Sequence, residues 1–293
     1  MGSAEGGLLL IRFTSENGTP VVVAETEGAG IYLDNDSLIA LAMKEPASLR
    51  KRFVEALHTK ATLLFSWTNA IEVAGPQWAS STDAVRAFLD SIGPHWIPLA
   101  LNPWDVARRE AAGLAAQAAV SESFMENYFK DRTYDLSQGN RVLDLSAEAF
   151  FRLGAVVDWV QERREKIRAD AVRIDDELRT TLAALRADYE RDAASLDRVL
   201  PPGHFAERSP ATFVLVHLQR LLVHEAKGYQ FKKGDGLDLC HAVLAAAYGS
   251  LITLDKHWKR RVQALPDSEK LARTYYRAEI AELVATMEGL APK

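Results

Sequence analysis

The chain predicts an α/β fold, a parallel sheet of about four or five strands sandwiched by helices and interrupted by an α-helical insertion. Three observations carry this prediction. Short apolar runs at 31–33, 61–65, 96–101 and 251–254 alternate with amphipathic stretches of helical period, the rhythm of repeated strand–helix units. The run at 61–65 is apolar along its length rather than at every second residue, as in a strand covered on both faces. Two of the runs end in an aspartate, Asp34 and Asp255.

Taken in order, 8–13 and 21–24 are β-rich runs flanking Asn17-Gly18, a tight-turn pair. They predict an N-terminal hairpin extension over 1–28, with 1–7 flexible and a break at Glu27-Gly28-Ala29-Gly30. The core is expected over 29–119 and again over 211–265. Its first strand, Ile31-Tyr32-Leu33, leads into helices at 37–43 and 45–58, the second with Leu49, Phe53 and Leu57 on one face. Ser66 or Thr68 can cap a helix carrying Glu72, and Ser81-Thr82-Asp83 opens one with Val85, Phe88 and Leu89 inward. A helix over 104–119 follows the third strand.

From 120 to 210 the rhythm changes. Residues 147–199 hold one glycine, no proline and dense charge, with an apolar stripe at three- and four-residue steps. This predicts long helix, broken or folded back, standing as an arm outside the sheet and open to a partner protein. Its charged faces read first as solvated surface. Helices at 212–225 and 237–248, a strand ending at Asp255 and a C-terminal helix over 266–293 complete the chain.

Of the 293 residues, 48% are hydrophobic and 26% charged, enough for a core without covalent staples. A formal charge of −5 gives no whole-protein field toward nucleic acid, so any such contact needs a local patch. Cys240 is the only cysteine, which excludes an internal disulfide. With no leader segment and no apolar run near ~18 residues, the expectation is a cytoplasmic protein without membrane contact. A homodimer is an open possibility.

Residues just past the carboxyl ends of parallel strands converge on one crevice. Asp34 and Asp255 end strands, Glu72 lies on the helix after the 61–65 strand, and Asp238 opens the helix feeding the last one. Four carboxylates gathered this way need a cation, and oxygen donors select Mg²⁺ or Mn²⁺. Such a site can polarise a phosphodiester and activate water. Asp36 and Asp235 are secondary candidates. Each aspartate alone is as readily a helix cap. His241 and Cys240 read as core, Trp258 as a core plug, and Lys232, Lys233, Lys256, Lys259, Arg260 and Arg261 as a basic patch or plain surface.

The motifs resemble those of PIN-domain nucleases. Ile31-Tyr32-Leu33-Asp34-Asn35-Asp36 is similar to that family's opening motif, Asn69-Ala70-Ile71-Glu72 to its second, Gly234-Asp235-Gly236-Leu237-Asp238 to its third, and Leu251-Ile252-Thr253-Leu254-Asp255-Lys256-His257-Trp258 to its fourth. The resemblance implies a Mg²⁺- or Mn²⁺-dependent endonuclease acting on RNA rather than DNA, with Asp34, Glu72, Asp238 and Asp255 as catalytic metal ligands. Asp36 stands where the family more often has Asn or Ser, and the helical stretch between the second and third motifs is a departure. Asp34-Asn35-Asp36 and Lys232-Lys233-Gly234-Asp235-Gly236-Leu237-Asp238 also resemble motifs of haloacid-dehalogenase-type phosphatases. That alternative gives Glu72 and Asp255 no role, and the residues before Lys232 make a poor strand. A catalytically degenerate PIN module that binds RNA or a partner is the third reading.

Overall fold

The computed structural model describes residues 10–16, 19–25, 28–73, 82–93, 95–114, 118–121, 152–225 and 232–292. Strands β1 (Leu10–Glu16) and β2 (Thr19–Glu25) pair antiparallel, from Leu10 opposite Glu25 to Glu16 opposite Thr19. The turn expected at Asn17-Gly18, residues 1–7 and Glu27 lie outside the described residues.

The main sheet has five strands, all parallel, in the order β5 (Trp96–Leu99), β4 (Ala61–Ser66), β3 (Ala29–Tyr32), β6 (Leu251–Thr253), β7 (Arg273–Tyr275). Alternate side chains feed two cores, as the period-two geometry of a strand requires. Ile31, Leu63, Phe65 and Leu251 enter one core, with residues of α1 (Asn35–Met43), α2 (Ala47–Lys60), α4 (Thr82–Ser91), α6 (Leu153–Glu162) and α12 (Ile280–Glu288). Tyr32, Leu64, Ile97 and Ile252 enter the other, with α5 (Pro103–Ala111), α9 (Pro210–His224), α10 (Asp235–Tyr248) and α11 (Lys256–Gln263). The architecture is thus a sheet between two helical layers, as expected.

Two expected helices are corrected. The helix predicted over 104–119 stops at Ala111, because Gly113 takes a left-handed φ of 83° and turns the chain back. Val120 then forms an antiparallel bridge with Leu99. The C-terminal helix predicted over 266–293 is confined to α12. Before it come Asp267 at φ 52°, two 3-10 turns and β7, whose Tyr275 is buried. Burial of Thr274 and Tyr275 against the sheet overrides the helical reading of this stretch.

The 147–199 stretch is largely helical where described, and it breaks at Arg163 between α6 and α7 (Arg164–Arg191) and again at Asp192-Ala193 before α8 (Ala194–Val199). It does not stand apart as a free arm. Leu153, Val156, Val157 and Val160 of α6 are fully buried, and Ala171, Leu178 and Leu182 of α7 are buried as well. Charges on α7 pair along the helix, as in Arg173–Glu177, Arg179–Asp176 and Arg191–Asp188. Helix α7 packs on α3 (Trp67–Val73) and α6 in one layer and on α9 and α10 in the other. It therefore crosses an end of the sheet. Among the described residues no helix is long and apolar enough to cross a membrane.

Candidate functional site

Strand β3 has β4 on one side and β6 on the other, so the two halves of the sheet diverge between β3 and β6. In open parallel sheets this divergence opens a crevice at the carboxyl ends of the strands. Asp34 and Asp255 stand at this crevice, each two residues beyond its strand and each the N-cap of the next helix. Asp34 Oδ1 accepts from Ser37 N at 3.0 Å and from the Thr253 hydroxyl at 2.9 Å. Thr253 Oγ1 also accepts from Asp34 N at 2.9 Å, which ties the end of β3 to β6. Asp255 Oδ1 accepts from His257 N and Trp258 N at 2.7 and 2.8 Å. The cap reading and the ligand reading are therefore compatible, because capping engages one oxygen of each carboxylate.

Glu72 comes from α3 through a polar relay. The Asn69 side chain accepts from Ser66 N and donates to Leu33 O and Asn35 Oδ1, each at 3.0–3.1 Å. Asn35 Nδ2 then donates to Glu72 Oε2. Asn69 is fully buried, so the amide fixes the ends of β3 and β4 against each other and aims Glu72 at the cleft. Asp238 lies in the first turn of α10 with Asp235, which accepts from Lys232 N.

Electrostatics links these groups into a row. Asp238 is pushed up to about 7, first by the protein crowded around it and then by the charges of Asp255, Glu72 and Asp235, with hydrogen bonding from Trp258 opposing. Glu72 is raised by desolvation and by Asp34 and Asp36, against its bond from Asn35. Asp34 is raised by desolvation and slightly by Asp36, against its bonds from Ser37 and Thr253. Among the described residues, none of Asp34, Glu72, Asp238 and Asp255 is in an ion pair with Lys or Arg. The cleft thus concentrates uncompensated negative charge, which costs stability.

The couplings among these carboxylates run from Asp255 through Asp238 and Glu72 to Asp34, a row rather than a closed cage. Among the described residues no three Asp, Glu, His or Cys side chains are grouped closely enough to hold an ion between them. Their donor chemistry nevertheless fits a hard cation. Mg²⁺ keeps several waters and is commonly held by one or two carboxylates directly, with others reached through water.

Beneath the row, Tyr32 OH bonds His241 Nδ1, and Ser66 Oγ lies 3.5 Å from the same nitrogen. Burial pushes His241 down to about 4, which keeps it neutral, and raises the Tyr32 hydroxyl well above its usual range. His241 is thus a hydrogen-bonded structural residue. Sequence reasoning missed two buried carboxylates. Glu110 accepts from Ala211 N, Thr212 N, the Thr212 hydroxyl and the Tyr248 hydroxyl, and so caps α9. Asp175, inside the charged stripe of α7, accepts from Gly234 N and Gly236 N at the start of α10. Neither carries a local signal, since both meet partners far along the chain. Thr253 was also hidden, as one hydroxyl in an otherwise apolar strand. Compared with known proteins, the chain matches no family model, no curated protein and no solved structure.

Proposed function

We propose that the chain is a PIN-type, divalent-cation-dependent endonuclease acting on RNA. One observation carries the reading: Asp34 and Asp255 stand at the divergence of a parallel sheet, Glu72 and Asp238 couple to them electrostatically, and among the described residues none of the four is in an ion pair with Lys or Arg. Mg²⁺ or Mn²⁺, when bound, supplies Lewis-acid activation of a phosphodiester and of water. Asp34, Asp238 and Asp255 would hold the ion. Glu72, oriented by Asn35, would complete the set or hold the attacking water through a hydrogen bond.

The polynucleotide would meet the basic side chains beside the acidic row. Lys259 and Arg261 are committed to Glu279 and Glu225. Lys232, Lys233, Lys256 and Arg260 form no ion pair among the described residues, and they flank Asp235 and Asp255 in sequence. Such cations neutralise phosphates without reading sequence. A protein partner for the 120–210 segment belongs to the same proposal.

The test is Mn²⁺-dependent cleavage of single-stranded RNA by the parent, Asp34→Asn and Asp255→Ala proteins. Cleavage by the parent alone is expected, with no turnover of p-nitrophenyl phosphate and no BeF₃⁻ adduct. A phosphatase would use Asp34 as a nucleophile and trap BeF₃⁻ there. An adduct at Asp34, with activity surviving Asp255→Ala, would overturn the nuclease reading. RNA binding without cleavage would mark a degenerate module.

A further inference from the structure

Helix α10 carries Asp235 and Asp238 but has no capping side chain of its own, since its N-cap is Gly234 at φ 100°. The first N–H groups of a helix need acceptors from elsewhere. Asp175 supplies them from the middle of α7. Its Oδ1 accepts from Gly236 N at 2.8 Å and Gly234 N at 3.1 Å, and its Oδ2 from Gly234 N at 3.1 Å and Arg179 Nε at 3.2 Å. Asp175 is 3% exposed, and both its carboxylate oxygens are engaged there. The two segments fit so closely that a Cβ at Gly236 would lie 2.9 Å from Asp175 Oδ1 and 3.0 Å from its Cα and carbonyl oxygen. Gly234 and Gly236 are thus explained together, one by its backbone angle and the other by the approach of Asp175. Because α7 touches both helical layers and meets the first turn of α10, it crosses the sheet at the carboxyl ends of the strands.

We infer that Asp175 is a positioning residue: it fixes the first turn of α10 and so sets where the Asp238 carboxylate stands in the cleft. The inference rests on the cation reading of that cleft. It gives the helical segment a task at the site, which is to hold one acidic residue in place from outside the sheet. A cap that only stabilised the fold would lower the unfolding midpoint and leave the folded protein's affinity for a cation unchanged. A positioning residue changes that affinity.

The experiment titrates the full chain with Mn²⁺, reading free ion by electron paramagnetic resonance well below the unfolding midpoint. Asp175→Ala should weaken binding about tenfold or more, the scale of losses from groups that orient ligands. Asp175→Asn retains an acceptor for Gly236 N and should stay within about threefold of the parent. Gly236→Ala, which pushes the two segments apart and keeps both acids, should also weaken binding, and it decides the question if Asp175→Ala does not fold. Parent-like affinity in folded Asp175→Ala or Gly236→Ala overturns the inference. If the parent itself binds no Mn²⁺, the cation reading falls, and amide exchange over 235–238 tests the clamp alone. Faster exchange in the variants supports it, and unchanged exchange overturns it.

Discussion

Replacing Asp34 by Asn and by Ala separates its two roles. Asp34 Oδ1 caps α1 through Ser37 N and accepts from the Thr253 hydroxyl. An Asn side chain keeps that oxygen acceptor, so both bonds survive. It also removes a desolvated charge that Asp36 and Glu72 repel. Its stability should therefore equal or slightly exceed the parent's. Ala loses the cap, worth about 1 kcal/mol, and leaves the Thr253 hydroxyl without its acceptor, about 1 kcal/mol more. Urea unfolding without metal should then place Ala roughly 2 kcal/mol below Asn. Mn²⁺ binding and RNA cleavage should fall alike in both, because each lacks the anionic oxygen. Two results would refute the reasoning: Mn²⁺ affinity retained in Asn, or an Asn variant as unstable as Ala. The first removes Asp34 from the cation site, and the second means that the charge itself holds the turn.

The remaining predictions concern acidity and packing. The carboxyl of Asp238 is pushed up to about 7, so its protonated form is favoured by folding. Its contribution to metal-free stability is complete below the ordinary carboxyl range near 3.8 and is lost as pH rises through about 7. Urea midpoints from pH 5 to 8 should fall with this slope in the parent and flatten in Asp238→Asn, while Mn²⁺ binding by the parent tightens over the same range. Gly236→Ala should lower stability by about 1–3 kcal/mol, the usual cost of overpacking, as the new methyl meets Asp175 backbone as well as its carboxylate. Glu110→Ala strands four donors and should cost about 3 kcal/mol or more, whereas Thr212→Val, which removes one of them, should cost about 1 kcal/mol, both read from urea midpoints.

The alternation of apolar runs with helical stretches was enough to place β3, β4, β5 and β6, because strands buried on both faces have few alternatives. Strand β7 escaped because Arg273-Thr274-Tyr275 is too short to show a period beside a helix-like flank, and only pairing with β6 makes it a strand. Asp34 and Asp255 were legible because a strand and a cap signal bracket each of them. The relay through Asn35 and Asn69 was only half visible: both residues lie in the quoted motifs, but their bond to each other joins two separate helices, α1 and α3. Asp175 was illegible in principle. In sequence it is one acid among many on a charged helix, and its burial is set by Gly234 and Gly236, which lie well downstream.

Glu110 and Asp175 share a consequence for how the molecule holds together. Glu110 caps a helix start 101 residues downstream, and Asp175 one 61 residues downstream. A cap supplied by the adjacent residue lets a helix begin on its own. One supplied from so far away needs a long loop closed first, at an entropic cost of about 4 kcal/mol for ~100 residues. The starts of α9 and α10 should therefore form late, once α5 and α7 are in place, since contacts of such sequence separation belong to slow-folding topologies. Undocking α5 or α7 would leave the first N–H groups of α9 or α10 without their acceptor. Helix α7 and the sheet should accordingly melt as one cooperative unit, tied through α10 by Asp175, while Glu110 ties α5 to α9 within it.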